Sequence, residues 1–310
     1  MIIMEEIMPA SEACLECNRK RYTKFANDNI DKDKIANFLD EVEEAIVKAP
    51  YQELESTWER IARKYVKSDD IHKKEKEIYQ QCILSMKDDI EKMLDESDDI
   101  INDAIKFAIA GNVIDFATRP DLTLEELKEV INGVKNFKFD EELYAKFIEE
   151  LEEAKEVVIL LDNVGEVVLD ALLCKKLKTV YPDKHITVVP ASYPISSDTT
   201  AKEAYESGIA DYADIVPNGN DIVGTYLPKC SKECIDVLDR ADIIISKGMA
   251  NFEVMSGSKY NVYYFFLCKC KFYCEALNAE MMQEMFISDK YSNVGKRMEK
   301  TWKELGRTNE

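Results

Sequence analysis

The chain has 310 residues, 46% of them hydrophobic, which allows two domains or one large domain with a substantial core. Lysine and arginine number 41 against 61 aspartate and glutamate residues, which gives a formal net charge of −20. That balance argues against nucleic acid or an anionic membrane as a partner, and an anionic substrate would need a metal or a local cation at its site.

The N-terminus has no basic region of the kind that opens a secretory signal peptide. The longest unbroken apolar run, Val262 to Cys268, is too short to span a bilayer. The nine cysteines are expected to be mostly reduced and buried. We therefore expect a cytoplasmic protein without membrane association, and the sequence leaves its oligomeric state open.

Apolar residues at helical spacing run through the first half of the chain. The longest such stripe extends from Tyr79 to Leu94, and Thr123 with Glu126 forms a capping-box pattern before a further helix. Because no strand pattern interrupts this half, the sequence predicts an all-α N-terminal domain over residues 1–150.

The pattern changes near residue 155, where short apolar runs begin to alternate with helical patterns. Such alternation implies parallel strands, so we predict an α/β domain over residues 151–310 with a three-layer, mostly parallel, Rossmann-like sheet. The final segment, about 279–306, is predicted to be helical. The five predicted strands cover residues 157–162, 185–189, 213–216, 242–246 and 261–268.

The first predicted strand runs directly into Asp162 and Asn163, which therefore lie at its carboxyl end. In open α/β sheets that edge is where ligands bind. A carboxylate beside an amide oxygen suits a hard cation such as magnesium or manganese. The same two residues could instead cap the helix that begins near Gly165.

Two further segments bring polar groups to the same edge of the predicted sheet. Asp198 follows the second strand and could complete a metal site, although an aspartate in Ser-Asp-Thr-Thr is also a common helix cap. Lys247 follows the fourth strand, where its charge suits a phosphate, and Gly248 lets the backbone approach a ligand. A strand-to-helix turn with a solvated lysine is the alternative.

Oxygen ligands and a lysine at neighbouring strand ends predict metal-assisted chemistry on a phosphorylated molecule. The metal would polarise the phosphoryl oxygens and neutralise charge in the transition state. Water or Asp162 could be the nucleophile, and the sequence does not decide between them. The P-loop, the dinucleotide-binding glycine pattern and the nucleophile elbow are all missing from the sequence.

Gly111-Asn112 interrupts an apolar helical stretch. Either Asn112 and Asp115 reach the cleft between the domains, or the helix is only kinked or capped there. Cys14 and Cys17 form a lone Cys-x-x-Cys pair, without the second pair of a full zinc site or a thioredoxin-like context.

The cluster Cys268-Lys269-Cys270 begins where the fifth predicted strand ends, and we consider it in a strand conformation. Because side chains alternate along a strand, both thiols would share one face and the lysine would occupy the other.

Together these residues resemble the damage-control phosphatase family, formerly domain of unknown function 89. Cys14 and Cys17 are similar to the pair near the N-terminus of its stand-alone, mostly prokaryotic and archaeal subfamily. The matching segments are Asp162-Asn163-x-Gly165-Glu166 with Asp170, Pro194-Ile195-x-x-Asp198, Lys247-Gly248-x-x-Asn251-Phe252-Glu253 and Gly111-Asn112-x-x-Asp115-Phe116.

The resemblance implies a helical N-terminal region on an α/β domain, with a divalent metal (manganese, cobalt, nickel or magnesium) in the cleft. Asp162, Asn163 and Asp198 would bind the metal and, with Lys247, form the catalytic set. The residues implied to face the substrate phosphate or its carrier are Lys247, Asn112, Asp115, Glu166, Asn251 and Glu253.

The implied activity is hydrolysis of phosphate monoesters of small metabolites, such as sugar phosphates, nucleotides or damaged phosphometabolites. Met249-Ala250 and the stretch 190–193 depart from the family pattern and could alter the substrate pocket. Two alternatives stay open. One is an S-adenosylmethionine-dependent methyltransferase on a similar sheet, although its glycine-rich loop is replaced here. The other is a non-catalytic protein that binds phosphometabolites.

Overall fold

The structure, a computed structural model, describes residues 10–115, 119 and 121–305. Its strands are β1 Glu156–Leu160, β2 His185–Val189, β3 Asp214–Ile215, β4 Ile243–Lys247, β5 Val262–Leu267 and β6 Glu284–Ser288. Its α-helices are α1 Glu12–Asn29, α2 Ile35–Ile46, α3 Leu54–Val66, α4 Lys73–Leu84, α5 Lys87–Asp95, α6 Ile100–Ala110, α7 Leu124–Gly133, α8 Glu141–Glu153, α9 Glu166–Val180, α10 Ala201–Ser207, α11 Lys232–Arg240, α12 Gly248–Met255, α13 Lys271–Leu277 and α14 Val294–Leu305.

Helices α1 to α3 form a unit with an apolar core of its own, which we call the N-terminal helical unit (residues 12–66). Phe38, Val42 and Ile46 lie at four-residue spacing on α2 and are fully buried. Phe25 of α1 packs on Trp58 of α3 with their ring centroids 5.6 Å apart. The amphipathic spacing seen in the sequence therefore closes this unit.

Helices α4 to α8 share a core with one face of the sheet. Phe147 of α8 makes an edge-to-face contact with Tyr263 of β5, at 4.9 Å between ring centroids. The predicted division of the chain at residue 150 stays a prediction. The apolar stripe between Tyr79 and Leu94 is divided between two helices, because the chain turns between α4 and α5, where the Ser85 hydroxyl donates to the Cys82 carbonyl at 2.6 Å.

The six strands lie in the order β3-β2-β1-β4-β5-β6. Strands β1 to β5 are parallel and β6 is antiparallel to β5, so the predicted mostly parallel α/β sheet is confirmed. The helix predicted over 279–306 is wrong in its first part, where β6 forms. Phe286 packs on one face of the sheet while Met285 and Ile287 pack on the other, so a strand buries this short apolar run better than a helix would.

The strand order creates a crevice at the centre of the sheet. From β1 the chain proceeds outward to β2 and β3, then returns to place β4 on the other side of β1. Connections that leave β1 and β4 in opposite directions open a ligand site at the carboxyl ends of these two strands. Within the described ranges, none of the helices has the length and apolar character that a bilayer span requires.

Candidate functional site

Three residues that are distant in the chain meet at the carboxyl end of β1. Asn163 forms an isolated antiparallel bridge with Asp198, and the Thr199 N–H donates to the Asp162 carbonyl at 2.7 Å. The Ser197 hydroxyl donates to the side-chain oxygen of Asn163. Asp162, Asn163 and Asp198 all line the same cavity. The structure thus brings the three together, and their role as metal ligands stays a prediction.

Helix capping does not occupy the two carboxylates. Helix α10 begins at Ala201 with Thr200 as its cap, in a capping box with Glu203, so Asp198 lies outside it. Helix α9 begins after Gly165, three residues beyond Asp162. Both carboxylates are left facing the cavity.

The site is electrostatically unfavourable without a cation. Asp162 and Asp198 are only 7% and 6% exposed. Burial, then the neighbouring Glu166 and Asp198, raise the pKa of Asp162 well above its usual range. Burial also raises the pKa of Asp198 to about 8. Neither carboxylate forms a salt bridge with a lysine or arginine of the described residues, so the pair suits a hard divalent cation, which would stabilise both of their charged forms.

The carboxylates alone would not complete such a ligand set. Among the residues that the structure describes, no three His, Cys, Asp or Glu side chains are grouped to hold a metal. A cation here would also need the amide oxygen of Asn163. That oxygen accepts one hydrogen bond from Ser197 and has a second lone pair.

Asn112 lies behind Asp162 rather than in the cavity. Its Nδ2 donates to Asp162 Oδ2 at 2.7 Å and to Glu166 Oε2 at 3.1 Å, and its Oδ1 accepts from the Leu267 N–H at 2.9 Å. A Cβ on Gly111 would lie 2.9 Å from Leu169 Cδ1 and 3.2 Å from Glu166 Cα, so glycine favours the close approach of this turn to α9. These contacts compensate the helix break, and they place Asn112 where it orients Asp162 without lining the cavity.

Lys247 is fully buried under the cavity, which corrects the expectation of a lysine that faces phosphate. Its Nζ bonds Glu166, lies 2.9 Å from Asp170 Oδ1 and donates to the Ala108 carbonyl at 2.8 Å. Burial alone would lower the pKa of Lys247, but Asp170 and Glu166 raise it overall. Burial raises the pKa of Asp170 to about 7. Lys247 and Glu166 therefore support the site from below.

Asn251 is also a supporting residue rather than a substrate contact. It is fully buried, its Nδ2 donates to the carbonyls of Leu161 and Lys247, and its Oδ1 accepts from the Thr225 N–H at 2.7 Å. It thereby ties the ends of β1 and β4 to the loop that follows β3.

Asp115 and Glu253 do line the cavity. Asp115 Oδ2 lies 2.9 Å from Lys269 Nζ, and Glu253 accepts from the Tyr51 hydroxyl at 2.6 Å. Phe116, the last residue of the Gly-Asn motif, lies outside the described residues.

Gly248 makes room for the Asp162 carboxylate. Its φ is +77°, and a Cβ at this position would lie 1.9 Å from Asp162 Oδ2 and 2.1 Å from its Cγ. A side chain at residue 248 therefore competes for the space that the carboxylate occupies.

Gly248→Ala is expected to displace Asp162. The left-handed backbone should cost about 1–2 kcal/mol of unfolding free energy, and displacement of the carboxylate should weaken the Mn²⁺ binding predicted for Asp162 at least about tenfold. Urea unfolding and titration calorimetry would measure the two effects. Gly133→Ala is the control, because nothing lies within 4 Å of a Cβ there. Wild-type Mn²⁺ affinity in Gly248→Ala would contradict the expectation.

The cavity has a volume of about 460 Å³, which suits a small metabolite. Lys269 was not predicted to line the cavity, because residues 268–270 were considered in a strand conformation. Strand β5 ends at Leu267, and Lys269 and Cys270 both line the cavity, so the predicted alternation of faces is wrong. The position of Lys269 after a strand, at the same sheet edge as Asp162, was the available signal.

The helical unit supplies the wall opposite the sheet. Cys14 and Cys17 of α1 line it together with Tyr51. Burial raises the pKa of Cys14 to about 12 and that of Cys270 to about 11, so these two groups are neutral thiols at physiological pH. All nine cysteines are free in the structure, and five of them are buried. This wall therefore combines neutral thiols with charged side chains, among them Glu16, Lys20 and Arg21.

The fold and the site define an α/β protein with a carboxylate–amide–carboxylate centre at its topological switch point, covered by a helical unit. Residues 10–285 match the family model of the damage-control phosphatase ARMT1-like domain, and the chain belongs to that family. The family resemblance is thereby confirmed. The subfamily suggested by Cys14 and Cys17 stays a prediction.

Relatives in archaea agree with this membership. The chain is 32% identical to a damage-control phosphatase of Pyrococcus horikoshii over 57% of its length and 60% of that protein. It is 32% identical to a damage-control phosphatase of Archaeoglobus fulgidus over 58% of its length and 62% of that protein. An uncharacterised protein of Methanocaldococcus jannaschii is 29% identical over 74% of this chain and 76% of its own. The alignments thus span about six tenths of the two phosphatases.

A solved structure supports the fold. The crystal structure of a DUF89 family protein from Pyrococcus horikoshii superposes with a TM-score of 0.76. The match covers 91% of this chain and 99% of that one at 22% sequence identity.

Proposed function

We propose that this protein is a metal-dependent phosphatase that hydrolyses phosphate monoesters of small metabolites. Sugar phosphates, nucleotides and damaged phosphometabolites are the proposed substrates, and the cavity between the helical unit and the sheet is the proposed site. The observation that carries the proposal is the convergence of Asp162, Asn163 and Asp198 on one cavity. Family membership and the two archaeal phosphatases support it.

The proposed metal ligands are Asp162, Asn163 and Asp198. Manganese, cobalt, nickel or magnesium fits these hard oxygen donors, because the buried carboxylates need a cation and the amide oxygen adds a neutral ligand. When bound, such a cation supplies Lewis-acid stabilisation of the charge that develops on the phosphoryl oxygens. Asn112 and Glu166 keep the ligands oriented through the bonds between their side chains and those of Asp162 and Asn163.

Lys269 takes the role that the sequence first suggested for Lys247. It lines the cavity, its side chain is only 2% exposed, and its Nζ lies 2.9 Å from Asp115 Oδ2. We propose that the substrate phosphate binds the Lys269 ammonium as a point charge. Asp115 would hold that ammonium in place before the substrate arrives.

Removal of the metal tests the proposal. Purified protein treated with a chelator and dialysed should lose hydrolysis of a panel of sugar and nucleotide phosphates by at least about three orders of magnitude, because Lewis-acid stabilisation is worth several kcal/mol. Adding back Mn²⁺, Co²⁺, Ni²⁺ or Mg²⁺ should restore phosphate release. Unchanged phosphate release after treatment with the chelator would contradict the proposed metal requirement.

Binding measurements beside the phosphate-release assay separate the two alternative functions. Saturable binding of a phosphometabolite without turnover, in the presence of each metal, would favour a non-catalytic binding protein. Calorimetric binding of S-adenosylmethionine would revive a methyltransferase. The family membership of the chain weighs against that second alternative.

A further inference from the structure

Helix α3 of the helical unit grips the segment that carries Asp198. Glu59 Oε1 accepts a hydrogen bond from the Ser196 N–H at 2.9 Å. One helical turn later, Arg63 donates to the carbonyl of Pro194 and lies 3.4 Å from Glu59 Oε2. Two residues of one helix face thus hold two backbone groups just before Asp198.

The segment needs this support because its backbone is strained. Ser196 has a φ of +43°, in the left-handed region that few residues other than glycine adopt at low cost. Ser196 is buried, so its N–H must find a partner inside the protein. Glu59, which is 1% exposed, supplies that acceptor through its side-chain oxygen.

The other side of the segment is bound to the end of β1. The Val164 N–H donates to the Ser197 carbonyl at 2.8 Å, and the Thr199 N–H donates to the Asp162 carbonyl at 2.7 Å. These bonds fix Ser197 and Thr199 against the sheet. Ser196 is therefore the position where support from the sheet ends and support from the helical unit begins.

We propose that Glu59 is a positioning residue of the metal site. By accepting from Ser196, it holds the left-handed turn that sets the direction of the Asp198 carboxylate. The helical unit thereby takes part in building the site and does more than cover the cavity. The inference rests on the proposed function for the role of Asp198 as a ligand, whereas the support of the backbone segment does not.

Two substitutions at Glu59 test the inference on the full-length chain. Glu59→Leu removes the acceptor with little change in volume, and Glu59→Gln keeps an acceptor oxygen. In Glu59→Leu, amide hydrogen exchange of peptides covering residues 192–199 should accelerate, and Mn²⁺ affinity measured by calorimetry should fall about 10- to 100-fold, the usual cost of losing an orienting partner. Glu59→Gln should restore both readouts close to the wild-type values.

Glu43→Leu is the matched control. Glu43 lies on α2 and bonds Arg19 at 2.7 Å and the Tyr22 hydroxyl at 2.6 Å, all within the helical unit. The Glu43→Leu substitution should leave hydrogen exchange and Mn²⁺ affinity unchanged. Equal effects from Glu43→Leu and Glu59→Leu would overturn the inference. Unchanged exchange in Glu59→Leu would overturn it too. If the wild-type protein binds none of Mn²⁺, Co²⁺, Ni²⁺ and Mg²⁺, the proposed function fails, while hydrogen exchange still decides whether Glu59 supports the backbone segment.

Discussion

Asp162→Asn is expected to abolish phosphate release while it raises the stability of the metal-free protein. The substitution keeps the shape of the side chain, and an amide oxygen can still accept from Asn112 and Asn163. It removes an acid whose ionised form is opposed by burial and by the neighbouring Glu166 and Asp198, which raise the pKa of Asp162. Charge relief should increase the free energy of unfolding by on the order of 1 kcal/mol, as often happens when a strained functional site is neutralised.

The loss of activity should reach at least about three orders of magnitude, because the substitution removes one of the two anionic ligands proposed for the cation that would stabilise the transition state. Phosphate release at saturating Mn²⁺ and urea unfolding in chelator measure the two effects. Asp239→Asn is the control, since Asp239 pairs with Lys259 on the surface and should leave activity unchanged. A loss of phosphate release together with a gain in the free energy of unfolding distinguishes an effect on the site from misfolding. Wild-type turnover in Asp162→Asn would disprove the assigned role.

Lys247→Met is expected to destabilise the protein by about 3–5 kcal/mol, the usual result of removing one partner from a buried ionic cluster. Lys247, Glu166 and Asp170 are all fully buried, and the ammonium is the cation that both carboxylates contact. Methionine fills a similar volume but leaves those carboxylates without a counter-charge. It also leaves the Ala108 carbonyl without its donor.

Urea unfolding followed by circular dichroism measures this loss as a lower midpoint with an unchanged slope. Lys259→Met is the matched control, because Lys259 pairs with Asp239 at 2.6 Å on the surface and is 69% exposed. That control should stay within the error of the measurement. A loss below about 1 kcal/mol in Lys247→Met would show that the buried cluster tolerates a neutral partner, against expectation.

The sheet could be predicted because its buried strands are uninterrupted apolar runs, such as 157–160, separated by amphipathic helices. Strand β6 escaped prediction because its apolar part is only three residues long, 285–287, and lies among charged residues. The break between α4 and α5 escaped as well, because the apolar spacing continues through Ser85 and Met86 while the hydrogen bonding changes. Periodicity reports which face is buried and is insensitive to a tight turn on that face.

The site could be predicted only as far as the topology dictates it. Asp162 and Asp198 follow neighbouring parallel strands, so their approach follows from strand order. The burial of Lys247 could not be foreseen, because its partners Glu166 and Asp170 come from α9, and only the packing of α9 on the sheet shows that they point at it. Glu59 escaped for the same reason, since nothing local in α3 indicates a contact 137 residues away.

Because Gly248 lies so close to the Asp162 carboxylate, we expect the two positions to evolve together. A side chain at position 248 takes the space of the Asp162 carboxylate. Once one of the two residues is replaced, selection no longer maintains the other. In an alignment of homologues, the residues at positions 162 and 248 should therefore covary. Members that have lost the glycine should have lost the acid as well, which would mark them as pseudoenzymes from sequence alone.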